Sequence, residues 1–226
     1  MDYLKYILGK IIRNPVRAAR SGVKYISEFL MDRRIGVSTF RRDFTAPTSA
    51  SGDSRPCQPA PYSLLTAVSR HIQDHGFPLE SFVDVGCGTG RPLAYFSRLG
   101  FKRMVGIEIN ADVAERARWN LGGIKKAWNR AESLEVLTGD VLAADIDFTG
   151  SIVYLANPFG RATMLAFSRK LKAQILARPG SEILVYYALP LSDGALLEIF
   201  PGAEQELIQG IEPCHFFRLD GASISS

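Results

Sequence analysis

The sequence predicts an α/β fold, a doubly wound and mostly parallel sheet preceded by a helical arm. Three observations carry this. Short, continuous apolar runs alternate with segments of helical periodicity from residue 81 onward, the pattern of strands covered on both faces. Several of these runs end in glycine or in a polar residue, where ligands of such sheets bind. The 226 residues are 46% hydrophobic and 22% charged, enough to bury a full core without staples and too apolar for a disordered chain.

The elements follow in order. Ser81–Val85 is an apolar strand running into a glycine loop, and 91–99 is the helix after it. The segment 103–109 is a second strand carrying Glu108, and 111–120 is a helix with Asn110 as its N-cap. A short third strand, 134–137, stops at Gly139-Asp140. A fourth, 151–156, stops at Asn157-Pro158. The helix 161–177 closes at Pro179-Gly180, and 183–188 is the fifth strand. The segment 194–200 reads as helical, and 206–209 with 214–219 as a closing antiparallel pair. Tyr186 and Tyr187 would then put one ring on each sheet face, in the core or in an acceptor pocket.

Charge divides the chain. Residues 1–46 hold ten Lys/Arg against four Asp/Glu, and the remainder holds 17 basic and 19 acidic residues. The basic excess belongs to the arm. A near-neutral body argues against nucleic acid as a partner. Within the arm, Leu4, Ile7, Leu8, Ile11 and Ile12 form one apolar stripe. After Asn14-Pro15, Val16, Ala19, Val23, Ile26 and Leu30 form another, beside Arg13, Arg17, Arg20 and Lys24. Two short amphipathic helices with a basic face are expected. Such helices either lie on a membrane surface, dock an acidic partner, or pack on their own domain with a solvated basic face. The organisation read from this is a basic arm over 1–46, a linker or flap over 47–61, and the main domain over 62–226.

The three cysteines, Cys57, Cys87 and Cys214, are widely spaced and odd in number. They form neither a disulfide framework nor a CxxC zinc pattern, which favours a reducing, cytoplasmic setting. No run approaches the roughly 20 apolar residues of a membrane span, and no secretory signal is expected. No metal site is expected either. His71 and His75 stand four apart on a helix preceding the first strand, but no nearby carboxylate completes a ligand set, and a solvent-facing helix surface is the reading for them. GxSxG, P-loop and HExxH patterns are missing from the sequence.

The chemistry concentrates in Asp84-Val-Gly86-Cys87-Gly88-Thr89-Gly90. Glycines after a buried strand allow a tight turn and close approach of the backbone to a ligand. The spacing is GxGxG, not the GxGxxG of dinucleotide folds. A carboxylate at Glu108 can accept from both hydroxyls of a ribose, and Asp140 ends the next strand. Together these resemble the class I S-adenosylmethionine-dependent methyltransferases, over roughly residues 59–219. The resemblance implies a seven-stranded Rossmann-like sheet and S-adenosylmethionine as cofactor. It implies that Asp84, Gly86, Cys87, Gly88 and Gly90 wrap the methionine and ribose, that Glu108 binds the ribose diol, and that Asp140 lies near the adenine. Arg91 falls near the donor carboxylate or simply starts the helix.

Asn157-Pro158-Phe159-Gly160 resembles the Asn-Pro-Pro-Tyr/Phe motif of enzymes that methylate exocyclic or amide nitrogens, with one proline instead of two. The resemblance implies that Asn157 accepts hydrogen bonds from the target nitrogen and that Phe159 stacks on the substrate. Pro59-Ala-Pro61-Tyr62 resembles a segment that closes over the cofactor in little-characterised small methyltransferases. A similar segment occurs in some protein-lysine methyltransferases, together with a counterpart of Gly106-Ile-Glu-Ile-Asn110. There Tyr62 would meet a substrate amine or the donor, or else anchor the linker. The expected activity is methyl transfer to a nitrogen or oxygen nucleophile of a protein or small molecule. The alternatives are a nicotinamide-dependent oxidoreductase and a non-catalytic nucleoside-binding module localised by its arm.

Overall fold

A computed structural model describes residues 15–39, 59–190, 194–210 and 212–224, with side chains from residue 25 onward. The stripe from Leu4 to Ile12, the Asn14 cap and most of the 47–61 linker lie outside the described residues.

The chain runs α1 (Pro15–Ile35), α2 (Tyr62–Asp74), β1 (Ser81–Val85), α3 (Arg91–Phe96), β2 (Arg103–Glu108), α4 (Ala111–Gly122) and β3 (Ser133–Thr138). It continues β4 (Ser151–Ala156), α5 (Arg161–Ala177), β5 (Ile183–Ala188), α6 (Gly194–Ile199), β6 (Glu204–Ile208) and β7 (Cys214–Leu219). The strands form one seven-stranded sheet in the order β3-β2-β1-β4-β5-β7-β6. β1 to β5 pair in parallel, and β7 is antiparallel to both β5 and β6.

Strand periodicity sorts the core into two layers. Phe82, Met104, Tyr154, Tyr186 and Phe216 point to one face with Leu65, Val68, Leu93 and Phe96. Val83, Val105, Val153, Tyr187 and Phe217 point to the other, against Phe167, Leu171 and Ile175 of α5. Both tyrosines of β5 are fully buried, one on each face, as the alternation requires.

The strand order reverses between β1 and β4, and such a switch point opens a crevice at the strands' carboxyl ends. Asp84 aligns with Gly106 on one side and Tyr154 on the other. Glu108, Gly139-Asp140 and Asn157 therefore all leave the sheet on the edge where the glycine loop leaves it.

α1 leaves the described part of its apolar stripe exposed. Ile26 and Leu30 of the apolar stripe are 60% and 58% exposed, beside exposed Tyr25 and Phe29. The buried face carries Glu28, Asp32 and Ile35 instead. Ile35 and Val37 share the core with β1 and β2. Periodicity defined a stripe, but polar partners on the body turned the other face inward. Gly36 (φ +100) passes so close to α4 that a Cβ there would stand 2.4 Å from the Gly123 carbonyl oxygen. Among the described residues no helix is long and apolar enough to cross a membrane.

Candidate active site

The glycine loop is tacked to the end of β2. The amides of Gly86 and Cys87 both donate to the Ile107 carbonyl, at 2.9 and 3.1 Å. Gly86 has φ +70, and a Cβ on it would stand 2.5 Å from Cβ of Pro158. The first loop glycine thus lets the Asn157-Pro158 turn close onto β1. Gly88 and Gly90 also take positive φ, and Gly90 leads directly into α3. Cys87 is buried over β2, where a Cβ at Gly106 would come within 2.8 Å of its sulfur.

Two carboxyls sit under this loop. Glu108 accepts from the Gly88 amide through Oε2 and from the Asn110 amide through Oε1, each at 3.0 Å. Burial raises its pKa and these amides lower it; burial prevails. Asp84 is more deeply enclosed, and its Oδ2 has no hydrogen-bond partner among the described residues. Burial, and then the negative charge of Glu108, push its carboxyl well above the ordinary 3.8. An enclosed carboxyl oxygen left short of a donor costs free energy in the ligand-free protein. It suits a ligand that brings hydroxyls or a positive charge, as S-adenosylmethionine does with its ribose, ammonium and sulfonium.

Asp140 lies on the exposed rim of the same edge. Its Oδ1 accepts from the Leu142 amide at 2.8 Å, which fixes the turn after β3. Lys170 of α5 holds that turn from below, donating to the carbonyls of Val141 and Leu142 at 2.8 and 3.1 Å. Asn157 takes φ +51, a left-handed conformation that asparagine tolerates better than most residues. Tyr187 reaches its side-chain oxygen from β5 at 3.5 Å. Phe159 differs from its expected presentation. Its ring is buried in the core, edge-on to Phe167 at 5.9 Å between centroids.

Tyr62 and Arg91 belong to a different cluster. The Tyr62 hydroxyl donates to Oδ1 of Asp32 at 2.5 Å, and the Tyr62 amide donates to Glu28 at 3.0 Å. Arg91 pairs with Glu28, donates from Nε to Thr39 Oγ1 at 2.6 Å, and lies 4.6 Å over the Tyr62 ring. Burial is the main cause that raises the Tyr62 pKa. Tyr62, expected to meet the donor or a substrate amine or else to anchor the linker, is turned toward the arm. Arg91, expected near the donor carboxylate or at the helix start, begins α3 and is turned the same way. Thr39 extends the link to the glycine loop, its carbonyl accepting from the Thr89 hydroxyl at 3.3 Å.

Glu28, Asp32 and Thr39 were not anticipated. The available signal was the presence of two acids four residues apart on an otherwise basic helix. Of the expected site residues, the fold brings together Asp84, Gly86, Cys87, Gly88, Gly90, Glu108 and Asn157. Asp140 stands at their rim, and Tyr62 and Phe159 are occupied elsewhere.

Residues 83–151 match a family model described as a methyltransferase domain. Among solved structures, the chain is similar to the methyltransferase domain of bacterial CtHen1. The identity is 17% and the TM-score 0.52, covering 70% of this chain and 98% of that one. It is also similar to a SAM-dependent methyltransferase of Leishmania major, with 13% identity and a TM-score of 0.52, covering 70% of this chain and 72% of that one. At these identities the likeness is one of fold. None of the curated proteins matches the chain in sequence.

Proposed function

We propose that the chain is a class I S-adenosylmethionine-dependent methyltransferase that methylates a nitrogen or oxygen nucleophile of a protein or small molecule, a reading supported by the match of residues 83–151 to a methyltransferase-domain model and by the fold. The observation that carries the siting of the reaction is the pair of buried carboxyls, Asp84 and Glu108, below a glycine loop at the sheet's switch point.

S-adenosylmethionine supplies a methyl group on a sulfonium that is already a good leaving group. The protein's task is therefore alignment and exclusion of water. Glu108 keeps second lone pairs on both oxygens, and in this reading they take the ribose hydroxyls while the first ones hold the loop. Asp84 offers its unpartnered oxygen to the donor's cationic end. The loop glycines bring backbone amides close to the ligand, and Asp140 borders the adenine. Asn157, steadied by Tyr187, accepts from the N–H or O–H of the incoming nucleophile and orients its lone pair. Phe159 supports this turn from the core. The reading goes with a cytoplasmic, reducing setting.

The test is transfer of a tritiated methyl group from the donor to cell extract, separated into protein, small-molecule, lipid and nucleic-acid fractions. Label should enter the protein or small-molecule fraction and vanish with Glu108→Ala. Label confined to nucleic acid would overturn the acceptor class.

The arm adds a surface contact to this reading. Tyr25, Ile26, Phe29 and Leu30 are exposed on a helix within a strongly basic segment, a combination that suits an anionic lipid surface. The full chain should float with anionic liposomes, and Ile26→Glu with Leu30→Glu should abolish this. Unchanged flotation of the double variant would discard the contact.

A further inference from the structure

We propose that His71, His75 and Glu206 form a binding site for one divalent transition-metal ion of the zinc class, remote from the methyl-transfer crevice. His71 and His75 close the C-terminal end of α2, and Glu206 lies on β6, the edge strand of the sheet farthest from β3. One ligand atom from each residue lies within 4.8 Å of the other two. His71 Nε2 and Glu206 Oε2 face each other at 3.1 Å. The carboxylate that the local sequence lacked comes from 135 residues downstream. The solvent-facing reading of His71 is corrected at the same point: its ring is buried, and only His75 is exposed.

The second nitrogen of each ring strengthens the case. His75 Nδ1 lies 2.9 Å from the His71 carbonyl oxygen. A carbonyl only accepts, so the proton is on Nδ1 and the lone pair is on Nε2. His71 Nδ1 lies 2.7 Å from the Tyr186 hydroxyl. A tyrosine hydroxyl donates or accepts, so His71 has two tautomers here: Nε2–H donating to Glu206, or Nδ1–H donating to Tyr186 with the Nε2 lone pair offered to a metal beside Glu206. Metal-bound histidines characteristically donate their other ring N–H to a fixed oxygen in this way. Phe77 and Phe216 flank the His71 ring at 5.9 and 4.9 Å and give the site an apolar wall.

Two imidazoles and one carboxylate suit zinc and its neighbours, and do not suit magnesium or calcium. Three protein ligands leave a fourth position for water on the exposed His75 side. A metal there would pin edge strand β6 to α2.

The experiment uses the full-length, tag-free chain after chelator treatment and dialysis. Calorimetry with Zn2+ and visible absorption with Co2+ should each show one equivalent bound, with no response to Mg2+. Zn2+ should raise the melting temperature. His75→Ala and Glu206→Gln change exposed side chains, so both variants should fold. Each should weaken Zn2+ about 100-fold and erase the Co2+ spectrum, with the affinity for S-adenosylhomocysteine unchanged. Unchanged Zn2+ affinity in both variants would overturn the proposal. So would failure of the wild type to bind either ion, which would leave the His71–Glu206 contact an ordinary hydrogen bond.

Discussion

Two pairs of buried acids lie on either side of the glycine loop, and they are treated in opposite ways. Glu28 and Asp32, on the arm, are met by Arg91, by the Tyr62 hydroxyl and by Thr39. On the sheet, Glu108 is met by the Gly88 and Asn110 amides, while Asp84 has the negative charge of Glu108 nearby and one oxygen with no partner among the described residues. Burying a charge is tolerable when a counter-charge and hydrogen bonds come with it. The arm's pair meets that condition within the chain, so it acts as a fastener. The sheet's pair does not, and perturbed, underpartnered groups of this kind mark places where a ligand completes the arrangement.

The largest effect should follow from breaking the fastener. Arg91→Met leaves Glu28 and Asp32 buried without their cation and should cost about 3–5 kcal/mol, read from urea denaturation. Glu108→Ala releases the Gly88 and Asn110 amides. It should weaken S-adenosylhomocysteine by about 100-fold, roughly 2.7 kcal/mol, in calorimetry. Gly86→Ala sets a methyl group 2.5 Å from Pro158 at a positive φ and should cost about 1–3 kcal/mol of stability.

Asp84→Asn should have the smallest effect on stability and the most informative sign. Asp84 is held above its ordinary pKa. The folded protein therefore keeps a proton that the unfolded chain has released, and stability falls as pH rises from about 4 through the folded pKa. Glu108, also raised, acts in the same direction. The ligand-free asparagine variant should match or exceed the wild type at pH 8 by about 1 kcal/mol and show a flatter pH profile. A loss of several kcal/mol at pH 8 would erase the contrast between the two pairs.

Much of the sheet was legible because its signals are local. The strands 151–156 and 183–188 and the helix 161–177 keep the bounds set by their apolar runs and by the Pro and Gly around them. β3 is longer than its apolar centre, Ser133–Thr138 against 134–137, because its ends are exposed and carry no hydrophobic signal. Gly86 to Gly90 and Glu108 could be read for the same reason, each sitting at the end of its own strand. Partners distant in sequence could not. Arg91 meets Glu28 across 63 residues, so the same arginine looked like a ligand contact or a helix start. Ile26 and Leu30 formed a correct stripe, but which face docks depends on what the body offers. Tyr62 and Phe159 were read as side chains facing the site, and packing partners on α1 and α5 claimed them.

The contrast between the two acid pairs stands or falls on one titration. Wild-type protein and Asp84→Asn, matched for stability by urea denaturation, are titrated with S-adenosylhomocysteine at pH 7.5. The account predicts single-site binding to the wild type, weakened at least about tenfold, or 1.4 kcal/mol, in the variant. A wild type that binds neither S-adenosylhomocysteine nor S-adenosylmethionine, or a variant that binds as tightly as the wild type, would contradict it.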